Sequence, residues 1–220
     1  GGGTLRLRGG ALYAASITRW QHADMTITDP VHMALTVNTT TVSWIGRSSV
    51  KEVMSLIMRT CVKKTRPGDF ARIEHELHGK KCYFYVISRG SGIAGTLVTD
   101  EKYPQRVAIN LVELMMDDFG KTYSNSWPQS RDDSCAEFPE LEEYLAAYQE
   151  AAAADKIERL KKDLEDSKHV LQKSIDAILE RGQKLDDLVQ HSNKLSMQTK
   201  MMYKSVQKKP GWFEECCGVN

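Results

Sequence analysis

The sequence predicts an α+β protein in which a compact domain of strands and helices is followed by one long coiled-coil helix. Two observations lead to this prediction. Over the first ~140 residues, short apolar runs typical of strands alternate with segments of helical period. From residue 155 to residue 208 the chain contains no proline, one glycine and many charged residues, and its apolar residues recur in heptads.

The strands of the domain are expected in short apolar segments bounded by turn-forming residues. They cover residues 11–18, 31–37, 40–45, 70–77, 81–88 and 92–99. A polar turn around Asn38 joins the second and third segments. The fourth and fifth segments form a hairpin-like pair around His78 and Gly79.

Three segments of the domain are expected to be helices. The first begins at Ser48 or Ser49, whose hydroxyl group can accept a hydrogen bond from a free N–H of the first turn, and it ends before Pro67. The second has Pro104 in its first turn, and the third covers residues 139–148. The predicted inner faces are Val50, Val53, Met54, Ile57, Met58 and Cys61 in the first helix and Val107, Leu111, Leu114, Met115 and Phe119 in the second.

Residues 155–208 have the seam of a coiled coil. A single helix of this length would extend for ~80 Å, too far to fold back within a small domain. Alternating steps of three and four residues outward from Arg181 meet apolar residues at ten of fourteen positions, with serine or threonine at the others. The apolar positions are Ile157, Leu160, Leu164, Leu171, Ile178, Leu185, Leu188, Leu195, Met202 and Val206. This seam predicts assembly with other helices.

Arg181 stands at the centre of the seam, where an apolar residue is expected. Burying a guanidinium group without partners costs several kcal/mol, so this side chain must be paired or hydrated. A polar residue at one seam position sets the alignment and the number of helices. Because the planar fork of arginine can donate to several acceptors at once, we expect Arg181 to face neutral acceptors on partner helices.

Residues 178–188, with the sequence ILERGQKLDDL, resemble the centre of an R-SNARE motif. The resemblance implies that Arg181 meets three glutamine residues, one from each of three Q-SNARE helices, in a parallel four-helix bundle. Residues 47–50 and 103–108 are similar to parts of a longin domain, which precedes some R-SNAREs. That resemblance implies a profilin-like fold, with five antiparallel strands flanked by helices.

The last residues of the sequence have the form of a lipidation site. Cys217, Gly218, Val219 and Asn220 fit the C-a-a-X pattern of prenylation. One lipid chain binds membranes only marginally, so stable anchoring needs a second signal. Cys216 can supply it, and the resemblance implies that it is palmitoylated or carries a second prenyl group. The chain thus resembles a longin-domain R-SNARE that has no transmembrane helix and is held by lipids.

Composition and charge exclude several other classes of protein. The net charge is +1, without the basic excess of a nucleic-acid binder, and no run approaches the ~20 apolar residues of a transmembrane helix. The GxGxxG spacing of residues 90–95 lies in a strand-to-strand turn, and His75 and His78 lack the spacing of a zinc helix. We therefore expect no enzyme, no metal and no other cofactor.

The predicted organisation is a leader or added remnant over residues 1–10, a longin domain over 11–150, an R-SNARE coiled coil over 155–209 and a lipidated tail over 210–220. The predicted function is vesicle fusion with three Q-SNARE helices, under the control of the longin domain and of fusion-regulating and SNARE-disassembly proteins. The expected location is the cytoplasm and the cytoplasmic face of Golgi, ER, vesicle and endosomal or vacuolar membranes. The alternative is a cytosolic coiled-coil adaptor or regulator of trafficking without fusion activity, which would form homo-oligomers.

A lipid-carrying chain with an apolar seam must shield both from water, or it will aggregate. The N-terminal domain is the surface that can cover them. The predicted groove is a strand around Val42, Trp44 and Ile45 together with the neighbouring helix at residues 50–61. The alternative is that Trp44 and Ile45 pack in the domain core. The resemblance implies a closed cytosolic form and an open membrane form.

Overall fold

The computed structural model describes residues 11–20, 29–39, 44–77, 80–133, 137–149 and 170–206. Its strands are β1 (Leu12–Arg19), β2 (Val31–Val37), β3 (Phe70–Leu77), β4 (Lys80–Ser88), β5 (Ile93–Asp100) and β6 (Val170–Ser174). They form one sheet in the order β2-β1-β5-β4-β3-β6. The first five strands pair antiparallel, as predicted, whereas β6 comes from the C-terminal segment and lies parallel to β3.

Helices cover both faces of this sheet. They are α1 (Trp44–Lys63), α2 (Gln105–Thr122), α3 (Glu140–Ala147), α4 (Ile175–Ile178), α5 (Leu185–His191) and α6 (Met197–Val206), with a short 3-10 helix at Trp127–Gln129. One apolar core joins α2 and α3 to the sheet. The other joins α1 and the C-terminal elements α4 to α6 to the opposite face. The C-terminal segment is thus part of a second core rather than an appendage.

The helix α2 lies directly on the sheet. Its residues Val107, Leu111, Met115 and Phe119 are fully buried, as their spacing predicts, whereas Leu114 is only partly buried. A Cβ atom added at Gly95 of β5 would lie 2.6 Å from a methyl carbon of Val112, so that position requires glycine.

A buried polar network fixes α1 to β2. The ring nitrogen Nδ1 of His32 shares a hydrogen bond of 3.0 Å with the Thr18 hydroxyl group. Its other ring nitrogen, Nε2, lies 3.2 Å from the carbonyl oxygen of Ser55 in α1. Arg59 bonds to the Pro30 carbonyl oxygen and to Asp133. Burial, and then the charge of Arg59, lower the pKa of His32 to about 4, so this histidine stays neutral and holds α1 in place.

The strand predicted over residues 40–45 is wrong at its two described residues. Trp44 and Ile45 lie in the first turn of α1, which begins before the predicted serine cap, and Ser49 is buried within the helix. β-Branched residues favour strands only weakly, and packing on neighbouring elements readily overrides that preference. Residues 40–43 lie outside the described residues.

The C-terminal segment is not one long helix in this conformation. Residues 170–206 form β6 and three short helices, because their apolar side chains are buried against the domain rather than against partner helices. Short helices owe their stability to such packing rather than to intrinsic propensity. The predicted seam positions Ile157, Leu160 and Leu164 lie outside the described residues.

The buried cysteines of the domain pack as small apolar side chains. Cys61 and Cys82 are both fully buried, and burial raises the pKa of each thiol. No group of metal-ligating side chains occurs within the described part of the chain. Among those same residues, none of the helices combines the length and apolar character needed to cross a membrane.

Candidate regulatory interface

The C-terminal segment first meets the domain at the edge of β3. β6 runs parallel to β3, with Val170 opposite Phe70 and Ser174 opposite Glu74. An open strand edge is a template for a further strand, and backbone hydrogen bonds supply most of such a contact. The predicted seam residue Leu171 lies on β6 and is only partly buried.

A short helix then carries the chain towards α1. The Ser174 hydroxyl oxygen caps α4 by accepting a hydrogen bond at 3.2 Å from the N–H of Ala177. Ile175, Ile178 and Leu179 are buried in the apolar core that they share with α1. These three side chains form the first apolar contact between the C-terminal segment and α1.

A turn follows, and it carries the centre of the seam. The N–H of Gln183 donates to the carbonyl oxygen of Glu180 at 2.8 Å. Gly182 has a φ of 84°, in the left-handed region that other residues avoid. Arg181 is exposed on this turn. The predicted central-layer residue is therefore outside the interface in this conformation.

The helix α5 buries a side chain next to the seam. Asp187 accepts a hydrogen bond at 3.2 Å from the N–H of Lys184 and thereby caps the helix. Leu185 and Val189 are buried, with Val189 fully inaccessible to solvent, whereas Leu188 is partly buried. A cavity of about 440 Å³ remains between this part of the segment and α1, lined by both apolar and basic side chains.

The helix α6 is held by a carboxylate of α1. Glu52 accepts hydrogen bonds from the N–H of Ser196 at 2.8 Å and from its hydroxyl group at 3.3 Å. Partial burial alone would raise the pKa of Glu52, but hydrogen bonds from Ser196, Thr199 and Ser48 hold it below its usual value. Thr199 and Tyr203 are buried on the inner side of the helix.

Ion pairs surround this contact. Asp29 lies 3.0 Å from the ammonium group of Lys63 in α1 and 3.4 Å from that of Lys194 in the C-terminal segment. Lys64 lies 3.9 Å from Glu180. Exposed ion pairs of this kind contribute ~0–1 kcal/mol each to stability. They orient the segment, while the apolar core supplies most of the stability of the interface.

The residues buried in the interface are not the same set as the predicted seam. Four seam positions are buried, and four are partly buried. The buried ones are Ile178, Leu185, Leu195 and Thr199, and the partly buried ones are Leu171, Leu188, Ser192 and Met202. Four further residues are buried although they lie off the seam: Ile175, Leu179, Val189 and Tyr203. The interface and a coiled coil thus compete for some side chains and not for others.

The groove residues named from the sequence are placed differently. The helix α1 does form a wall of the interface, but Trp44 and Ile45 belong to its first turn and not to a strand. Val42 lies outside the described residues, and so do the lipidation candidates Cys216 and Cys217. Neither Glu52 nor the edge of β3 was predicted from the sequence as part of this interface.

Gly182→Ala is expected to shift the chain from this conformation towards a continuous helix. Alanine in the left-handed region costs ~1–2 kcal/mol. Within a helix it is favoured over glycine by ~1 kcal/mol. The helical content of the C-terminal segment should therefore rise, and exchange of its amide hydrogens in β6 and α5 should become faster.

Gly68 provides a matched control for that variant. It has a φ of 89° in the turn between α1 and β3, with open space where a side chain would be added. Gly68→Ala should therefore introduce the same backbone strain in the domain without exposing β6 or α5. Equal exposure of the segment in the two variants would contradict a specific role for Gly182.

Two family models match the chain, one described as Longin: Regulated-SNARE-like domain, over residues 40–145, and one described as Synaptobrevin, over residues 156–208. The chain is 35% identical over 208 residues to the synaptobrevin homolog ykt6 of Schizosaccharomyces pombe, covering 94% of this chain and 98% of that protein. It is 32% identical over 191 residues to the VAMP-like protein YKT61 of Arabidopsis thaliana, covering 87% and 92%. A putative synaptobrevin homolog of Dictyostelium discoideum is 31% identical over 190 residues, covering 86% and 91%. The chain therefore belongs to the longin-domain synaptobrevin homologues, non-enzymatic R-SNARE proteins of vesicle transport and membrane fusion.

Proposed function

We propose that this R-SNARE promotes fusion by joining three Q-SNARE helices in a parallel four-helix bundle, with Arg181 as the central-layer residue. The observation that supports this most is the apolar seam that keeps its register on both sides of Arg181. In the bundle, Arg181 donates to one glutamine side chain from each partner. The layers on either side bury apolar surface, and that burial drives the helices, and the membranes attached to them, together.

The longin domain regulates this assembly by competition. Ile178, Leu185 and Leu195 are buried against the domain and are also proposed layers of the bundle. They cannot occupy both places, so the segment must leave α1 and the edge of β3 before it pairs along its full length. The closed conformation thereby slows assembly until partners or regulatory proteins favour the open one. The proposed domain limits are residues 11–150 for the longin domain, 155–209 for the SNARE segment and 210–220 for the tail.

We further propose that lipids attach the chain to membranes, with a prenyl group on Cys217 and a palmitoyl or second prenyl group on Cys216. The C-a-a-X form of the tail supports this, together with the need for two anchoring signals. The proposed location is the cytoplasmic face of Golgi, ER, vesicle and endosomal or vacuolar membranes, with a cytoplasmic pool in the closed form.

Mass spectrometry of the protein from its own cells is expected to find both lipid adducts, on Cys216 and on Cys217. Unmodified cysteines at these positions would contradict the proposal.

An assembly experiment tests the proposed function. The full chain and a peptide of residues 155–208 are each mixed with three Q-SNARE helices, and the complexes are followed by size-exclusion chromatography and circular dichroism. Both are expected to form a helical four-component complex, with the peptide assembling faster. The alternative, a trafficking adaptor without fusion activity, predicts homo-oligomers and no complex with the glutamine-bearing helices.

A further inference from the structure

The outward face of α6 has a composition that neither the closed interface nor the predicted bundle explains. Met197 is 72% exposed and Met201 is 64% exposed, and they are the two exposed large apolar side chains among the residues that the structure describes. Four residues apart on a helix, they lie on one face. The buried residues Thr199 and Tyr203 lie on the opposite side. The two methionines therefore point away from the domain.

Lysines surround these methionines. Lys200 and Lys204 follow Met197 and Met201 by three residues each, so they flank them on the helix surface. Residues 194–209 contain five lysines and no aspartate or glutamate. Three carboxylates from other elements contact this part of the chain on its inner side or at its start, since Asp186 bonds to Tyr203, Glu52 to Ser196 and Asp29 to Lys194. The outward face is thus both apolar and positively charged.

We propose that this methionine–lysine face, formed by Met197, Lys200, Met201 and Lys204, binds the surface of anionic phospholipid bilayers while the C-terminal segment is still folded on the domain. Interfacial helices bind in this way, with apolar side chains entering the boundary of the acyl chains and lysines meeting the anionic headgroups. A closed chain from the cytoplasmic pool would then bind a membrane through this face before its SNARE segment is released.

Two other occupants fit the face less well. A second copy of the chain would bring lysines against lysines, and two methionine side chains offer far less than the ~800 Å² that each partner contributes to a stable dimer. A Q-SNARE helix would pack on the seam, and Met197 and Met201 lie between the seam positions Leu195, Thr199 and Met202. The face therefore remains outside the bundle and available to a bilayer in either conformation.

Vesicle co-sedimentation of the full chain, produced without lipid modification, tests the proposal. Vesicles contain phosphatidylcholine alone or phosphatidylcholine mixed with phosphatidylserine. We expect binding only to the mixed vesicles, with an apparent affinity that falls as salt is added. Lys200→Gln with Lys204→Gln should weaken binding by about tenfold or more, since each lysine near an anionic surface contributes to attraction. Met197→Ser with Met201→Ser should weaken it to a similar degree.

The matched control removes two lysines from the other side of the sheet. Lys102→Gln with Lys121→Gln changes net charge equally at exposed positions near or on α2, and it should leave binding unchanged. Amide exchange at Val189 should stay slow on vesicles, because the segment remains folded on the domain. Four results would each overturn the proposal. The α6 variants could bind vesicles as well as the unaltered chain, or the control could lose binding to the same degree. The amide of Val189 could exchange fast on vesicles, or the chain could form methionine-dependent dimers without binding vesicles.

Discussion

Val189→Asp is expected to release the C-terminal segment from the longin domain and to accelerate assembly with Q-SNARE helices. Val189 is fully buried in the core between α5 and α1. A carboxylate there would lose its hydration without gaining a partner, so it would either be expelled or take up a proton. The cost to the closed conformation should be ~3 kcal/mol or more, which would change the population of the open form by over a hundredfold.

The position of Val189 makes this variant selective. It lies next to Leu188 at a position that flanks the predicted seam, where coiled coils accommodate charged residues, so an aspartate there would lie at the edge of the helix interface and leave its layers intact. Assembly rates should therefore rise while the stability of the assembled complex stays the same. Amide exchange in β6 and α5, measured on the free chain, should become fast at the same time.

Asn193→Asp is the matched control, because it adds the same charge at an exposed position of the same segment, off the seam. The control variant should have amide exchange rates and assembly rates close to those of the unaltered chain. The domain itself can be followed through the amides of β5, which should remain protected in both variants. A Val189→Asp chain that keeps a slowly exchanging segment, or that opens without assembling faster, would contradict regulation through this interface.

The sequence predicts the longin part of the fold well because its signals are local. The short apolar runs of β1, β4 and β5 and the apolar stripe of α2 depend on side chains within one element. The strand predicted over residues 40–45 is wrong at Trp44 and Ile45 for the complementary reason. The β-branched residues of this stretch favour a strand, but that preference is weak and depends on context, and Trp44 and Ile45 are instead the first residues of α1.

The fold of the C-terminal segment could not be predicted from the same kind of signal. Its heptads describe a helix among partner helices, whereas the closed chain uses the segment as a strand and three short helices. β6 is specified by backbone hydrogen bonds to the edge of β3, which leave little trace in the side chains. The sequence does contain a signal for two interface residues that were not predicted. Val189 and Tyr203 are apolar or aromatic residues next to seam positions, and they widen the stripe beyond what a coiled coil needs.

Truncating a layer leucine should have its main effect on the assembled complex. Leu171→Ala and Leu188→Ala are each expected to lower the stability of the four-helix bundle by ~2–5 kcal/mol, the usual cost of emptying a fully buried site. In the closed chain both leucines are only partly buried, so the free protein should lose less. Denaturant unfolding of the assembled complex and of the free chain measures the two losses separately.

Two kinds of control separate the seam from the rest of the segment. Glu180→Ala and Lys184→Ala remove exposed side chains beside the seam and should change the stability of the complex by no more than ~0.5 kcal/mol. Val189→Ala removes an apolar side chain that is buried in the closed chain but lies off the seam, so it should destabilise the free chain and spare the complex. The opposite responses of Leu188 and Val189, which are neighbours in one helix, follow from the two different surfaces that the same segment buries. If both alanine variants weakened the complex equally, the seam would not be the surface that joins the helices.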